Sequence, residues 1–243
     1  MDIFNYSQFG LSDYGIKKEN EDFFFCNYPY ITGDKGSGIS CLSVIADGMG
    51  GLHNGKEAAK IAINTFVNHI SQQSFDYKDK SESVLNHMEK GFEISNEKVI
   101  EMSKVNRLYS GTTLTAALLI KDKLFITHVG DTRAYILNKN FFGRYSSYQI
   151  TSDHNPLNQP FKLTEFIGNQ DKKIEPSKYE ISVKPGNLLI LTSDGFHDYV
   201  SEKIFHKLVR KNEIKKLPKM LIEEAIKQSS KDNITAVITK IER

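Results

Sequence analysis

Four short apolar runs of this chain each adjoin an aspartate, and this pattern constrains the fold more than any other. The four acids are Asp47, Asp131, Asp194 and Asp232. Each run has the length and composition of a strand, so each carboxylate is expected where a buried strand meets a turn. A β scaffold could therefore gather acids that are far apart in the sequence around one hard cation.

Carboxylate and carbonyl oxygens are the ligands that Mg²⁺ and Mn²⁺ prefer. Gly48 and Gly195, directly after Asp47 and Asp194, allow sharp turns that bring a backbone carbonyl close to an ion. Two ions that share a carboxylate and a water can promote phosphoester hydrolysis. Asp-Gly pairs are also ordinary turn sequences, and spacing alone leaves both interpretations open. We take the repeated pattern to predict a metal-dependent hydrolase.

Charge and cysteine content exclude several other classes. The 32 basic and 30 acidic side chains nearly cancel, so we expect neither a nucleic-acid partner nor a membrane partner. The N-terminal residues lack the features of a signal peptide, and no apolar stretch is long enough to cross a bilayer. Cys26 and Cys41 have no metal-ligand spacing and are expected to be buried free thiols. We therefore expect a cytoplasmic protein.

The periodicity predicts an α+β domain that spans residues 1–243, with many antiparallel strands and two pairs of helices. The predicted strands are 22–27, 39–46, 112–120, 124–129, 133–137, 188–192 and 234–241. Helices are predicted over 55–73, from Val84 to Met102, and over 202–211 and 217–229. The proline-containing stretch 153–182 is predicted to be an irregular insert. A basic cluster (Lys207, Arg210, Lys211, Lys215, Lys216, Lys219) is interpreted as a solvated helix face.

Seven short motifs, in order, resemble those of the metal-dependent protein serine/threonine phosphatases of type 2C, in their compact bacterial form. They are Asn20-Glu21-Asp22, Asp47-Gly48-Met49-Gly50-Gly51, Ser110-Gly111-Thr112-Thr113, Val129-Gly130-Asp131-Thr132-Arg133-Ala134-Tyr135, Thr151-Ser152-Asp153-His154-Asn155, Ser193-Asp194-Gly195 and Asp232-Asn233-Ile234-Thr235. The resemblance covers almost the whole chain. It implies a central sandwich of two antiparallel β-sheets, flanked on each side by antiparallel α-helices. The stretch 153–182 would be the family's variable flap.

The resemblance also implies two Mg²⁺ or Mn²⁺ ions and assigns their ligands. Asp47 would bridge both ions, and the Gly48 carbonyl would bind one of them. Asp194 and Asp232 would hold the other ion. The remaining acids are Glu21 and Asp22, which would act through waters on the metals, and Asp131, which would help to hold a third, weaker ion.

Two positions depart from the family pattern. Lys17 stands where the family usually has an arginine that grips the substrate phosphate, and it supplies charge without the bidentate geometry. Lys18 is an alternative contributor. A histidine often follows the Asp-Gly-Met-Gly-Gly string directly, but here Leu52 does, with His53 one place later. His53 is a candidate proton donor to the leaving group, and the other interpretation is a surface histidine at a helix start.

We therefore predict a protein phosphatase that hydrolyses phosphoserine and phosphothreonine by attack of a water bridging the two ions. Asp47, Asp194, Asp232 and Lys17 are its predicted catalytic residues. The expected partners are phosphorylated proteins, with a serine/threonine kinase or its targets among them, and the expected state is a monomer. Two alternatives are a catalytically silent regulatory binding module and a phosphomonoesterase for small molecules.

Overall fold

The structure is a computed structural model that describes residues 5–31, 39–49, 54–73, 75, 79–107, 109–140, 143, 145–156, 158 and 162–242. Its strands, in chain order, are β1 (Asn5–Asp13), β2 (Phe23–Ile31), β3 (Ile39–Ala46), β4 (Gly48–Met49), β5 (Gly111–Thr112), β6 (Leu114–Ile120), β7 (Lys123–Val129), β8 (Arg133–Lys139), β9 (Tyr145–Gln149), β10 (Ser177–Ser182), β11 (Leu188–Thr192) and β12 (Ile234–Glu242). The helices are α1 (Asn54–Ser71), α2 (Ser81–Asn106), α3 (Asp194–His197), α4 (Glu202–Lys211) and α5 (Leu217–Lys227), and a 3-10 turn covers Ile214–Lys216.

The strands form two five-stranded sheets and one short ladder, and every pairing is antiparallel. The first sheet has the order β1-β12-β11-β8-β9, and the second has the order β10-β7-β6-β3-β2. The short strands β4 and β5 pair with each other. The last strand of the chain, β12, lies between β1 and β11 in the interior of the first sheet.

Three apolar clusters hold the layers together. The cluster between the two sheets includes Ile45, Ile126, Ile136 and Leu191. On the outer face of the second sheet, α1 and α2 bury a cluster that contains Phe66. On the outer face of the first sheet, α3, α4 and α5 bury another. The predicted sandwich of two antiparallel sheets between helical layers is therefore confirmed.

The central elements agree closely with the sequence predictions. The apolar residues at helical spacing in the predicted helix 55–73 are buried on α1, namely Ala58, Ala59, Ala62, Phe66 and Ile70. The bounds 39–46, 188–192 and 202–211 match the strands and the helix that the structure has there. A two-residue turn at Lys121 and Asp122 joins β6 and β7 in a hairpin, between the predicted strands 112–120 and 124–129.

The sequence analysis missed β1, β9 and the short helix α3, and it was wrong about the end of the insert. Residues 177–182 form β10, which pairs with β7, rather than irregular chain. This strand alternates exposed polar residues such as Lys178 and Glu180 with half-buried ones, so it has no apolar run. Both cysteines are free, as predicted, but only Cys41 is buried, and Cys26 is half-buried. None of the helices in the described ranges is long and apolar enough to span a bilayer.

Candidate metal centre

The predicted acids come together at one end of the sandwich. Asp47 follows β3 of the second sheet, and Asp131 lies in the turn from β7 to β8. Asp194 is the first residue of α3, just after β11, and Asp232 lies two residues before β12. With Asp22, which precedes β2, these residues form what we name the acid cluster. The charges of the other four all raise the pKa of Asp47, in addition to its burial.

Backbone hydrogen bonds fix the position of Asp47. Its N–H donates to the Thr113 hydroxyl at 2.8 Å. Its carbonyl accepts the Thr112 hydroxyl and the Thr113 N–H, each at 2.9 Å. Burial first, and then the neighbouring carboxylates, hold the pKa of Asp47 well above its ordinary value. The backbone that carries the Asp47 carboxylate is therefore fixed in place, and among the described cations Lys17 acts on this carboxylate by its charge.

Asp22 is 5% exposed and is held by hydroxyl groups from the opposite sheet. Its Oδ2 accepts the Ser193 hydroxyl at 2.7 Å and the Thr235 hydroxyl at 2.6 Å. Burial raises the pKa of Asp22 to about 6, although these two hydrogen bonds lower it. The Oδ1 atom of Asp22 is buried and accepts no hydrogen bond from a hydroxyl, amide or cationic group of the described residues, and the carboxyl of Asp47 is its side-chain neighbour.

Asp194, at the start of α3, also has a buried oxygen without a hydrogen-bond partner among the described residues and a raised pKa. Its Oδ1 is buried without a hydrogen-bond partner in the described part of the chain. Burial, followed by the charges of Asp131, Asp232 and Asp22, raises the pKa of Asp194 to about 7. Buried oxygens that lack donors cost free energy unless a cation or water satisfies them. A cation in this cluster would satisfy Asp22 and Asp194 together.

Lys17 binds directly to the acid cluster. Its Nζ lies 2.9 Å from Oδ1 and 3.1 Å from Oδ2 of Asp232. This hydrogen bond, assisted by the charges of Asp232, Asp47 and Asp194, raises the pKa of Lys17. The two side chains are 47% and 40% exposed, so solvent reaches the pair. The residue predicted to grip phosphate is thus placed beside a predicted metal ligand.

Glu21 and Gly48 lie together at the start of α1. Burial raises the pKa of Glu21, while a hydrogen bond from the Gly55 backbone lowers it. Its Oε1 is buried and accepts no hydrogen bond from the residues that the structure describes. A Cβ at Gly48 would overlap the Gly55 carbonyl, and one at Gly55 would lie 2.7 Å from the Gly48 carbonyl carbon. Only glycines allow the chain segments to approach this closely.

Asn233 organises the loop that carries Lys17 and Glu21. Its side-chain amide donates to the carbonyls of Tyr14 at 3.1 Å and Glu19 at 2.8 Å. Its Oδ1 accepts the Glu21 N–H at 2.9 Å. The sequence analysis quoted Asn233 within a motif but assigned it no role. Its place beside Asp232 before an apolar strand was the available indication.

The segment after β9 is anchored next to Asp131. The His154 N–H donates to the Gly130 carbonyl at 2.8 Å, and the Gly130 N–H donates back to His154 Nδ1 at 3.2 Å. Burial raises the pKa of Asp131, and the Asn155 amide, 3.5 Å from its Oδ2, lowers it. Further along, Ile167 forms a bridge with Thr112, the residue that holds Asp47. The predicted flap therefore contacts the site near its start, at His154, and near its middle, at Ile167.

The donor set fits a divalent cation. In the described part of the chain, three buried carboxylate oxygens accept no hydrogen bond, on Glu21, Asp22 and Asp194, and oxygen ligands suit Mg²⁺ and Mn²⁺. In the described residues, however, no three His, Cys, Asp or Glu side chains already converge as a complete ligand set. Hard ions keep several waters and accept backbone carbonyls, so the carboxylates need not complete the coordination alone. Two further acids, Asp153 and Asp198, act electrostatically on this cluster and were missed as site residues.

A β-sandwich that gathers oxygen donors from both of its sheets at one end defines a metal-dependent hydrolase. Residues 17–229 match the family described as protein phosphatase 2C. This match covers most of the chain, and the chain belongs to the protein phosphatase 2C family.

Individual relatives agree with this assignment. The chain is 24% identical to protein phosphatase PhpP of Streptococcus pneumoniae, over 95% of this chain and 96% of PhpP. It superposes on the S. agalactiae serine/threonine phosphatase with a TM-score of 0.83 at 23% identity, covering 98% of this chain and 100% of that one. It superposes on the catalytic domain of PstP, solved in complex with two manganese ions, with a TM-score of 0.78 at 24% identity, covering 98% of this chain and 99% of that one. The two superpositions establish the fold.

Proposed function

We propose that this chain is a serine/threonine protein phosphatase that hydrolyses phosphoserine and phosphothreonine in proteins with two Mn²⁺ or Mg²⁺ ions. The observation that carries the proposal is the set of buried carboxylate oxygens without partners on Glu21, Asp22 and Asp194. Membership of the protein phosphatase 2C family supports the reaction class. One catalytic domain over residues 1–243, with a flap that begins at 153 and ends before β10, is part of the same proposal.

We assign the ligands from the positions of the acids. Asp47, whose backbone is fixed by Thr112 and Thr113 at the end of β3, would be shared by both ions, and the Gly48 carbonyl would bind one of them. Asp194 and Asp232 would hold the second ion. Glu21 and Asp22 would act through waters on the metals, because one oxygen of Asp22 is already bound by Ser193 and Thr235 and the Glu21 carboxylate accepts from the Gly55 backbone.

Asp131 is proposed to help to hold a third, weaker ion at the edge of the site. When bound, the ions would lower the pKa of an attacking water and stabilise the charge on the phosphoryl group. The chain's own residues would orient the substrate. Lys17 stays protonated because its pKa is raised, so its ammonium can bind a phosphate oxygen. His53, the candidate proton donor, lies outside the described residues.

The regulatory-module alternative is not favoured. Such a module would not need several buried carboxylates that repel one another. The acid cluster nevertheless retains all of them, although their burial and mutual repulsion lower the stability of the folded state. We further propose a monomer that acts on phosphorylated proteins in signalling, with a kinase or its targets among its partners. The two free thiols support a cytoplasmic location.

The test is hydrolysis of a phosphothreonine peptide by the wild type and by Asp194→Asn, with and without Mn²⁺. We expect activity only with the metal, and a loss of about 100-fold or more in the variant, because a charged ligand becomes neutral. Asp122→Asn is the matched control, since Asp122 is exposed at the opposite end of β7. Metal-independent turnover, or equal activity in the two variants, would contradict the mechanism.

A further inference from the structure

A groove runs between the edge strand β9 and helix α4, on the outer face of the first sheet. Alternate residues of β9 line three cavities along it: Gln149 and Ser147 the first, and Tyr145 the second and the third. The cavities have volumes of about 350, 310 and 510 Å³. Tyr145 and Arg210 line both the second and the third, so these two are continuous. We call the whole feature the β9–α4 groove.

The near end of the groove lies beside the acid cluster. Arg133, two residues after Asp131, lines the first cavity and pairs with Asp153 at 2.6 Å. Beyond it, the Ser147 hydroxyl lies 2.8 Å from His206 Nε2 and donates to Glu202 at 2.8 Å. This polar bridge separates the first cavity from the second.

The far end of the groove is strongly basic. The cations that line it without an ion-pair partner among the described residues are Lys139, Lys203, Lys207, Arg210 and Lys215. The two acids there are already paired, Glu213 with Lys216 at 3.1 Å and Glu242 with Lys240 at 2.8 Å. The far end therefore carries uncompensated positive charge, although the chain as a whole has a net charge of only +2.

The length of strand β12 gives the distance between the two ends of the groove. It begins at Ile234, beside the acid cluster, and its residue Lys240 lines the third cavity. Six residues of a strand extend about 20 Å. An extended peptide of about six residues would span the same distance. The groove is thus long enough to hold the chain that follows or precedes a residue in the site.

We propose that the β9–α4 groove binds an acidic segment of the phosphoprotein substrate while the phosphorylated residue occupies the acid cluster. This inference rests on the proposed function. The unpaired cations supply charge complementarity, and partly exposed apolar lining residues such as Tyr145 and Ile214 suit the side chains of a peptide. The carboxylates of the acid cluster would repel the acidic segment, and the cations at the far end of the groove would attract it. The two ends together orient the substrate.

The test compares phosphothreonine peptides that carry four glutamates, beginning about six residues before or after the phosphothreonine, with peptides that carry glutamines there. One of the two placements brings the glutamates to the far end of the groove. We expect that peptide to have a KM about tenfold lower than its glutamine counterpart, with kcat unchanged, because four ion pairs each contribute modestly. In Lys207→Ala/Arg210→Ala the difference should disappear, and 0.5 M salt should remove it in the wild type. Lys219→Ala/Lys227→Ala on α5 is the matched control, since it removes the same charge outside the groove.

A second measurement separates this inference from the proposed function. The unphosphorylated glutamate peptide, fluorescently labelled, is titrated with metal-free protein. Binding that Lys207→Ala/Arg210→Ala weakens, and the control does not, supports the groove even if no peptide is hydrolysed. Equal KM values for glutamate and glutamine peptides, together with hydrolysis of both, would overturn the inference alone. Tighter binding of single-stranded DNA of equal charge at the same residues would overturn the choice of occupant.

Discussion

Asp22 illustrates how single residues build this site and which of them a sequence reveals. The aspartates were predictable because each adjoins an apolar run and a glycine or a motif. The hydroxyls that hold Asp22 come from Ser193 and Thr235, which lie 171 and 213 residues further along the chain. Serine and threonine are common in strands and turns, so nothing local marks these two. Only the stacking of the sheets brings them to the carboxylate.

Lys17 provides a test of phosphate binding at one side chain. We expect Lys17→Ala to raise KM for a phosphopeptide about tenfold with little change in kcat, because one charge-assisted hydrogen bond is lost. Lys17→Arg should restore binding, since a guanidinium supplies the same charge with two parallel donors. Steady-state kinetics measure both. If Lys18→Ala raises KM and Lys17→Ala does not, the neighbouring lysine is the phosphate ligand.

The strands differ in how well the sequence predicts them. Interior strands such as β6 and β11 are buried along their whole length, and their apolar runs identified them. The missed strands β1, β9 and β10 all lie at sheet edges, where polar side chains face solvent and discourage association. Helix α3 was missed because four residues carry no helical periodicity. The β9–α4 groove could not be predicted because one of its walls is such an edge strand.

Helix α2 anchors the flap through one buried side chain. Asn96 is 9% exposed, and its Oδ1 accepts the Gly168 N–H at 2.7 Å. We expect Asn96→Ala to destabilise the fold by about 1–3 kcal/mol, because the buried N–H loses its acceptor. Hydrogen exchange should accelerate at Gly168 and the residues around it, and less in β6 and β11. Asn106→Ala, at an exposed position of the same helix, serves as the control. Equal exchange in both variants would show that Asn96 is not the anchor.

The acid cluster belongs to the domain as a whole, because its members come from both sheets. Asp47 follows a strand of the second sheet, and Asp194 and Asp232 adjoin strands of the first. In the metal-free protein their mutual repulsion opposes the stacking of the sheets. A divalent cation would reverse this effect and stabilise the native state by mass action.

Thermal unfolding tests whether repulsion within the acid cluster destabilises the metal-free protein and a divalent cation stabilises it. The pKa of Asp194 is raised to about 7 in the folded, metal-free protein. Above pH 7 the ionised carboxylate therefore lowers the free energy of unfolding. As the pH falls below 7, the folded state binds a proton at Asp194 and this loss of stability becomes smaller. We expect metal-free Asp194→Asn at pH 8 to unfold about 2–4 °C above the wild type, with a smaller difference at pH 5. Mn²⁺ should raise the Tm of the wild type more than that of the variant. Asp122→Asn should match the wild type, and an equal response to Mn²⁺ in all three proteins would remove Asp194 from the site.

The interior position of β12 has a consequence for biosynthesis. This strand is synthesised last among the described elements, yet it supplies Thr235 to Asp22 and is preceded by Asp232 and Asn233, which fix the loop with Lys17. A nascent chain whose β12 is still inside the ribosome has Asp22 and Asp47 but no closed first sheet to position them. Under the proposed function, such a chain cannot dephosphorylate anything. Activity would begin only after translation has passed the final strand, and a premature stop codon before it would yield an inert product.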